Sequence, residues 1–244
     1  YTECIIVIKN MINPITTIPV DHFFRGAFSI DMVLITFIDD ELKVLLQEKN
    51  EPPHEGELGL PGKLILPIED TDQAMNNFMT DLIGTNEFYK KQLKAFSDVN
   101  RHPMGRVISF AYYGLIPFEK FNEPLAEGLS WRNAYEVSGL CFDHDRILKS
   151  VLKRFRKGLL RHPTVFEILP KKFILSDVKR IYDLAFDTEL DSPNFRKMIR
   201  KSDLIYPTGE IKHEKDFIGR PPKFYSFNRE RYLGEFKERI HFYF

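Results

Sequence analysis

Leu60-Pro61-Gly62-Lys63-Leu64-Ile65-Leu66-Pro67-Ile68-Glu69-Asp70, with the run Thr71 to Gly84 behind it, is the stretch that decides the fold of this 244-residue chain. Met75, Phe78, Met79, Leu82 and Ile83 recur at helical spacing, so the run predicts an amphipathic helix packed on a core. Asp70 or Thr71 can cap its start, with Gln73 three residues beyond Asp70. Positions 78, 81 and 82 share one helix face and could converge on a single cation. A hard divalent ion needs oxygen ligands there, and Phe78 and Leu82 offer none. Asp81 remains on that face, with Glu69 in the preceding loop.

Working outward toward the N-terminus, Ile30 to Ile38 is apolar and β-branched, Asp39-Asp40 makes a turn, and Leu42 to Gln47 forms a second strand. Together they predict a hairpin. Residues 1–24 contain Pro14, Pro19 and a Thr pair and read as an extension with one short strand. Toward the C-terminus come a strand from Lys94 to Asn100, a loop Arg101-His102-Pro103-Met104-Gly105-Arg106, a strand from Val107 to Ile116 and a last strand from Trp131 to Ser138. Phe142-Asp143-His144-Asp145 reads as the cap of a helix running from Asp145 to about Leu160. That helix is apolar at Leu148, Leu152, Phe155 and Leu159 and basic on its other side. Arg161-His162-Pro163 breaks it, which puts a domain boundary there: residues 25–160 form one domain and 161–244 a second.

The second domain begins with a helix that Ser176 can cap, apolar at Val178, Ile181, Tyr182 and Ala185. Ser192-Pro193 starts another, with Pro at its favoured first position. There Phe195, Met198 and Ile199 make the inner side, and Arg196, Lys197, Arg200 and Lys201 the outer one, with no acidic residue from 192 to 201. Leu204-Ile205-Tyr206 and Lys223-Phe224-Tyr225-Ser226-Phe227 follow as two strands of a hairpin whose tip ends in Gly219-Arg220-Pro221-Pro222. Helix, turn, basic helix and basic hairpin in this order predict a winged helix.

Composition supports two folded domains: 43% of residues are hydrophobic and 22 are Phe, which excludes a disordered chain. Formal net charge is zero, yet residues 1–145 hold 12 Lys/Arg against 22 Asp/Glu, and residues 146–244 hold 23 against 13. A basic C-terminal part points to a polyanionic partner. Cys4 and Cys141 lack zinc-knuckle spacing and read as reduced thiols of a cytoplasmic protein. No apolar run is long enough to span a membrane.

The Lys63 to Gly84 stretch resembles the Nudix box, the loop–helix–loop that carries magnesium on helical glutamates in the hydrolases of that family. Laid on this chain, the opening Gly of the pattern falls on Lys63, its first Glu on Glu69, its Arg on Asn77, its three helical glutamates on Phe78, Asp81 and Leu82, and its closing Gly on Gly84. The resemblance extends over residues 28 to 157. With the C-terminal segments Leu169 to Ser176, Asn194 to Lys197 and Gly219 to Tyr225, the chain resembles the Nudix-related transcriptional regulators, whose known members answer to ADP-ribose or to a sugar such as L-arabinose. This resemblance implies an α/β plus α+β fold, a Nudix-like α/β/α sandwich with a mixed sheet followed by a winged helix-turn-helix domain. It implies a homodimer that binds double-stranded operator DNA and senses a small-molecule effector (pentose sugar, sugar phosphate or ADP-ribose), with neither a catalytic residue nor a cofactor. Ligand candidates are Asp31, Lys63, Arg101, Arg106 and Tyr112, expected in one pocket between sheet and box. Asn194, Arg196, Lys197, Arg200 and Lys201 would face DNA from the second helix, and Arg220 and Lys223 would grip phosphate or minor groove. The alternatives are a magnesium-dependent hydrolase of a nucleoside diphosphate derivative and a protein-interaction module without nucleic acid.

Overall fold

The computed structural model describes residues 26–121, 125–212 and 221–235, with two short strands at 5–7 and 17–19. Those strands, β1 (Ile5–Val7) and β2 (Thr17–Pro19), pair antiparallel, where the sequence reading expects one strand. Cys4 and Arg220 lie outside the described residues.

The central strand is β3 (Ala27–Ile38). Its side chains alternate between two buried faces, with Ile30, Met32 and Leu34 in one apolar cluster and Val33 and Ile35 in the other. A strand covered on both faces reads as one continuous apolar run, as Met32 to Ile38 does. Asp39 and Asp40 both adopt positive φ, 54° and 57°, and form the tight turn into β4 (Glu41–Glu48). β3 and β4 pair only near this turn, Ile35 to Ile38 against Val44 to Glu41. Beyond it the segment 58–64 lies between them, with β5 (Leu58–Gly59) on β4 and β6 (Gly62–Leu64) on β3. β8 (Val107–Leu115) runs parallel along the other edge of β3, β7 (Tyr89–Phe96) lies antiparallel outside it, and β9 (Leu129–Asn133) borders β4. The seven-stranded sheet is therefore mixed.

Helix α1 (Thr71–Ile83) covers one face with Ala74, Met75 and Met79. Its start follows the expected capping box: the Asp70 carboxylate accepts from the backbone of Asp72 and Gln73, and the Gln73 side chain accepts from Asp70 N–H. Helix α2 (His144–Leu159) covers the opposite face through Ile147, Leu148, Val151, Phe155 and Leu159. Helix, sheet and helix make the α/β/α sandwich.

Two strands lie elsewhere than expected. β7 occupies 89–96 rather than 94–100, because Lys90, Lys91, Gln92 and Lys94 give it the polar character of an edge strand and hide it from an apolar reading. β9 ends at Asn133, whose side chain accepts from Tyr135 N–H and turns the chain before it reaches Ser138.

Beyond α2 a short 3-10 turn (Thr164–Glu167) leads to α3 (Leu175–Phe186), α4 (Ser192–Lys201), the hairpin β10 (Ile205–Ile211) and β11 (Lys223–Phe227), and α5 (Arg229–Glu235). Phe173 forms a single antiparallel bridge with Tyr225 at the edge of the two-stranded wing. Ser176 does not cap α3. The helix starts at Leu175 after an extended Ile174, both buried, so apolar anchoring sets the start. One apolar cluster runs from Val33 and Leu46 on the sheet through Phe155 and Leu159 on α2 to Val178, Ile181 and Phe195 of the winged helix. Buried Tyr182 completes the junction by donating to the Leu159 carbonyl at 3.0 Å.

Candidate functional site

Strand parity sends the sensing candidates to different places. Asp31 shares the face of Val33 and Ile35, under the start of α2. There the Arg101 guanidinium donates from Nη2 to Asp31 at 3.2 Å, and from Nη2 and Nε to Asp143 at 2.7 and 3.3 Å. The Ser109 hydroxyl donates to the same Asp31 carboxylate. His144 Nδ1 accepts the Leu60 amide N–H at 2.8 Å, which leaves the ring proton on Nε2, 3.5 Å from Asp31. Only 8% of the Asp31 side chain and 3% of the Arg101 side chain reach solvent. Burial by itself would raise the Asp31 carboxyl, but the hydrogen bonds of His144 and Ser109 and the charge of Arg101 outweigh it and hold it at about 2. Gly62 stands opposite Asp31 in β6, where a Cβ would run into this carboxylate and the Ile30 carbonyl.

Asp143 occupies the N-cap position of α2 yet makes no side-chain cap bond, because Arg101 holds its carboxylate. The expected capping cluster is corrected accordingly. Asp145 takes the local role instead, accepting from the Gly139 and Leu140 amides.

Tyr112 and Lys63 face the other way. Tyr112 pairs in register with Met32 and points toward α1, where its hydroxyl donates to Asp72 at 2.8 Å. Lys63 pairs with Ile30 and its ammonium meets Glu69 at 3.0 Å, which draws the Glu69 carboxyl down. Arg106 is exposed and clasps its own loop through the carbonyls of Ser97 and Asp98 at 2.8 and 3.1 Å. The five candidates thus stand in three places rather than in one pocket: Asp31 with Arg101 on the α2 face, Lys63 and Tyr112 on the α1 face, and Arg106 on a loop. The sheet separates the first pair from the second, since adjacent strand positions point to opposite faces.

In the box, Phe78 and Leu82 pack against the apolar cluster on the α1 face, Asp81 is exposed, and Glu69 is engaged by Lys63. Among the described residues no three His, Cys, Asp or Glu side chains stand close enough to hold a metal ion. This donor set does not fit magnesium, which takes several oxygen ligands.

The second candidate surface lies on the winged helix. Asp191 caps α4 by accepting from the Asn194 amide at 2.9 Å, and Phe195 and Ile199 anchor the inner side. Asn194, Arg196, Lys197, Arg200 and Lys201 are all exposed on the outer side, as the helical spacing predicts. Arg196 and Arg200 line a groove of about 690 Å³ whose far wall is the wing, with Lys223 on it. A helix with an exposed basic face beside a basic hairpin is the kind of arrangement that can seat a polyanion such as a duplex.

Comparison with known proteins agrees with this geometry. Residues 165–227 match the family model of the NrtR DNA-binding winged helix domain. The fold, a Nudix-like α/β/α sandwich followed by a winged helix, is that of solved NrtR structures. Over 222 residues the chain is 21% identical to an ADPR responsive transcriptional repressor NtrR of Acinetobacter baylyi, covering 88% of this chain and 87% of that protein. Shewanella oneidensis NrtR, crystallised with a 27mer DNA, shares the fold with a TM-score of 0.76 at 22% identity, over 88% of this chain and 99% of that one. An ADP-ribose pyrophosphatase of Methanocaldococcus jannaschii is 25% identical over 137 residues, 56% of this chain and 78% of that protein. The NrtR-type winged helix begins just beyond the end of α2. Among the described residues no helix is long and apolar enough to cross a membrane.

Proposed function

We propose that the chain is an effector-controlled, cytoplasmic transcriptional regulator that binds operator DNA as a homodimer and holds ADP-ribose or a related nucleotide sugar without cleaving it. The observation that carries this reading is the exposed basic side of α4 facing the wing across one groove. Asn194, Arg196, Lys197 and Arg200 would reach base edges in the major groove, with Lys201 and Lys223 on phosphate. Two such helices in a dimer would read two half-sites one helical turn apart. The effector would bind on the α1 side of the sheet, where Tyr112 and Lys63 can turn from Asp72 and Glu69 to ribose hydroxyls and phosphate. Asp31 and Arg101 would hold the frame of the domain, and residues 25–160 and 161–244 would be its sensing and DNA-binding parts. Phe78 and Leu82 support holding over hydrolysis.

The test is fluorescence anisotropy of a labelled operator duplex, titrated with protein and then with ADP-ribose. We expect salt-sensitive duplex binding and a change in apparent Kd of about fivefold or more on saturation with ADP-ribose. An affinity for DNA that ADP-ribose leaves unmoved, or magnesium-dependent turnover of ADP-ribose at about 1 per second or faster, would sink the reading.

A further inference from the structure

The groove between α4 and the wing has a wall that the winged helix does not supply. Arg196 and Arg200 enter it from α4, Lys212 and Lys223 from the hairpin, and Arg180 from α3. Asp40, from the β3–β4 turn of the Nudix-like domain, lines the same groove. The Arg180 side chain donates from Nε to the Asp40 carbonyl at 3.0 Å, across 140 residues of sequence.

Three features fix the turn there. Asp39 and Asp40 are a left-handed pair, and the ladder between β3 and β4 is in register up to Ile38 and Glu41. Thr36, buried just before the turn, donates to the Ile116 carbonyl at 2.8 Å. The two aspartates differ in their partners. Asp39 pairs with Lys43 at 2.9 Å, a cation that Glu41 also approaches at 3.7 Å, whereas the exposed Asp40 carboxylate pairs with no cation among the described residues. The Asp40 residue therefore lines, together with Asp177 of α3, a groove that Arg180, Arg196, Arg200, Lys212 and Lys223 also line.

We propose that the β3–β4 turn of the Nudix-like domain is part of the DNA-binding face, where the Asp40 carboxylate opposes the phosphate backbone and keeps general duplex affinity down. The inference rests on the DNA-binding reading above. Phosphate contacts supply most of the affinity for any duplex, so a fixed negative charge beside them subtracts from binding whatever the sequence. It leaves specific binding more dependent on base contacts from α4, and it gives the sensing domain a direct contact with the nucleic acid.

The test compares the full-length protein with Asp40→Asn and Asp39→Asn on a fluorescent duplex of arbitrary sequence. Asn tolerates the left-handed conformation and keeps the carbonyl that receives Arg180, so the turn survives. Asp40→Asn should bind about two- to fivefold more tightly at about 50 mM salt, with the gain shrinking as salt screens the exposed charges. Asp39→Asn removes an equal charge from a residue that does not line the groove, and should gain less than Asp40→Asn. A wild type that binds duplex while Asp40→Asn binds no tighter overturns the proposal and leaves the DNA-binding reading standing, as does an equal gain from Asp39→Asn. A wild type that binds no duplex at low salt overturns both.

Discussion

The two groups of charged residues in this molecule have opposite fates. Under α2, buried Asp31 and Arg101 and half-buried Asp143 are drawn from three distant parts of the chain and joined by hydrogen bonds of 2.7 to 3.3 Å. On α4, Arg196, Lys197, Arg200 and Lys201 lie within one and a half turns of helix, and all of them face solvent. Charges that meet in the interior hold strands and loops in place, because an unmatched buried charge costs several kcal/mol. Like charges left together on a surface carry no such role, and their repulsion is relieved only by an anion from outside. The difference separates residues that build the Nudix-like domain from residues left open to solvent, although the sequence displays both as charges.

Breaking each group should therefore disturb a different property. Arg101→Ala leaves Asp31 and Asp143 facing each other without their shared cation, and should lower stability by about 3–5 kcal/mol, read as a shift of the urea midpoint. A loss under about 1 kcal/mol would mean that the cluster is solvated and not structural. Arg196→Ala should leave that midpoint within about 0.5 kcal/mol of the wild type and weaken binding to a specific duplex by about 1–3 kcal/mol. If it unfolds the protein, or if affinity stays unchanged, the division between the two groups fails on the α4 side.

Local features were legible in the sequence and long-range ones were not. The β3–β4 hairpin, the Asp70–Gln73 capping box and the basic outer side of α4 are set by neighbours within a few residues, so periodicity and caps reveal them. The Asp31–Arg101 pair spans 70 residues, and nothing local to either residue announces it. Parity along β3 does separate Asp31 from Ile30 and Met32. Placing Tyr112 on the opposite face additionally needs the parallel register that sets Met32 beside it. Asp143 carried a true local signal for a cap, overridden by the stronger charge-assisted bond to Arg101. The turn contact of Asp40 with Arg180 joins the two parts of the chain and likewise has no sequence signature.

The interior group also makes a prediction in pH, because its charges matter only while they are ionised. The Asp31 carboxyl lies at about 2 in the folded protein against 3.8 for an unperturbed aspartate, so the unfolded chain takes up its proton first as acid is added. Its contribution is complete above about pH 4 and disappears as pH falls through 2, a total of about 2 kcal/mol. Other carboxylates titrate in the same window, so the wild type alone cannot isolate Asp31. The difference between wild type and Asp31→Asn can, since Asn keeps the shape and has no charge to lose. Urea midpoints from pH 5 down to 2 should show that difference shrinking by about 2 kcal/mol. A difference that stays constant over this range would mean that Asp31 is not ionised in the folded state. The cluster would then be held by neutral hydrogen bonds, and its contrast with α4 would be one of burial alone.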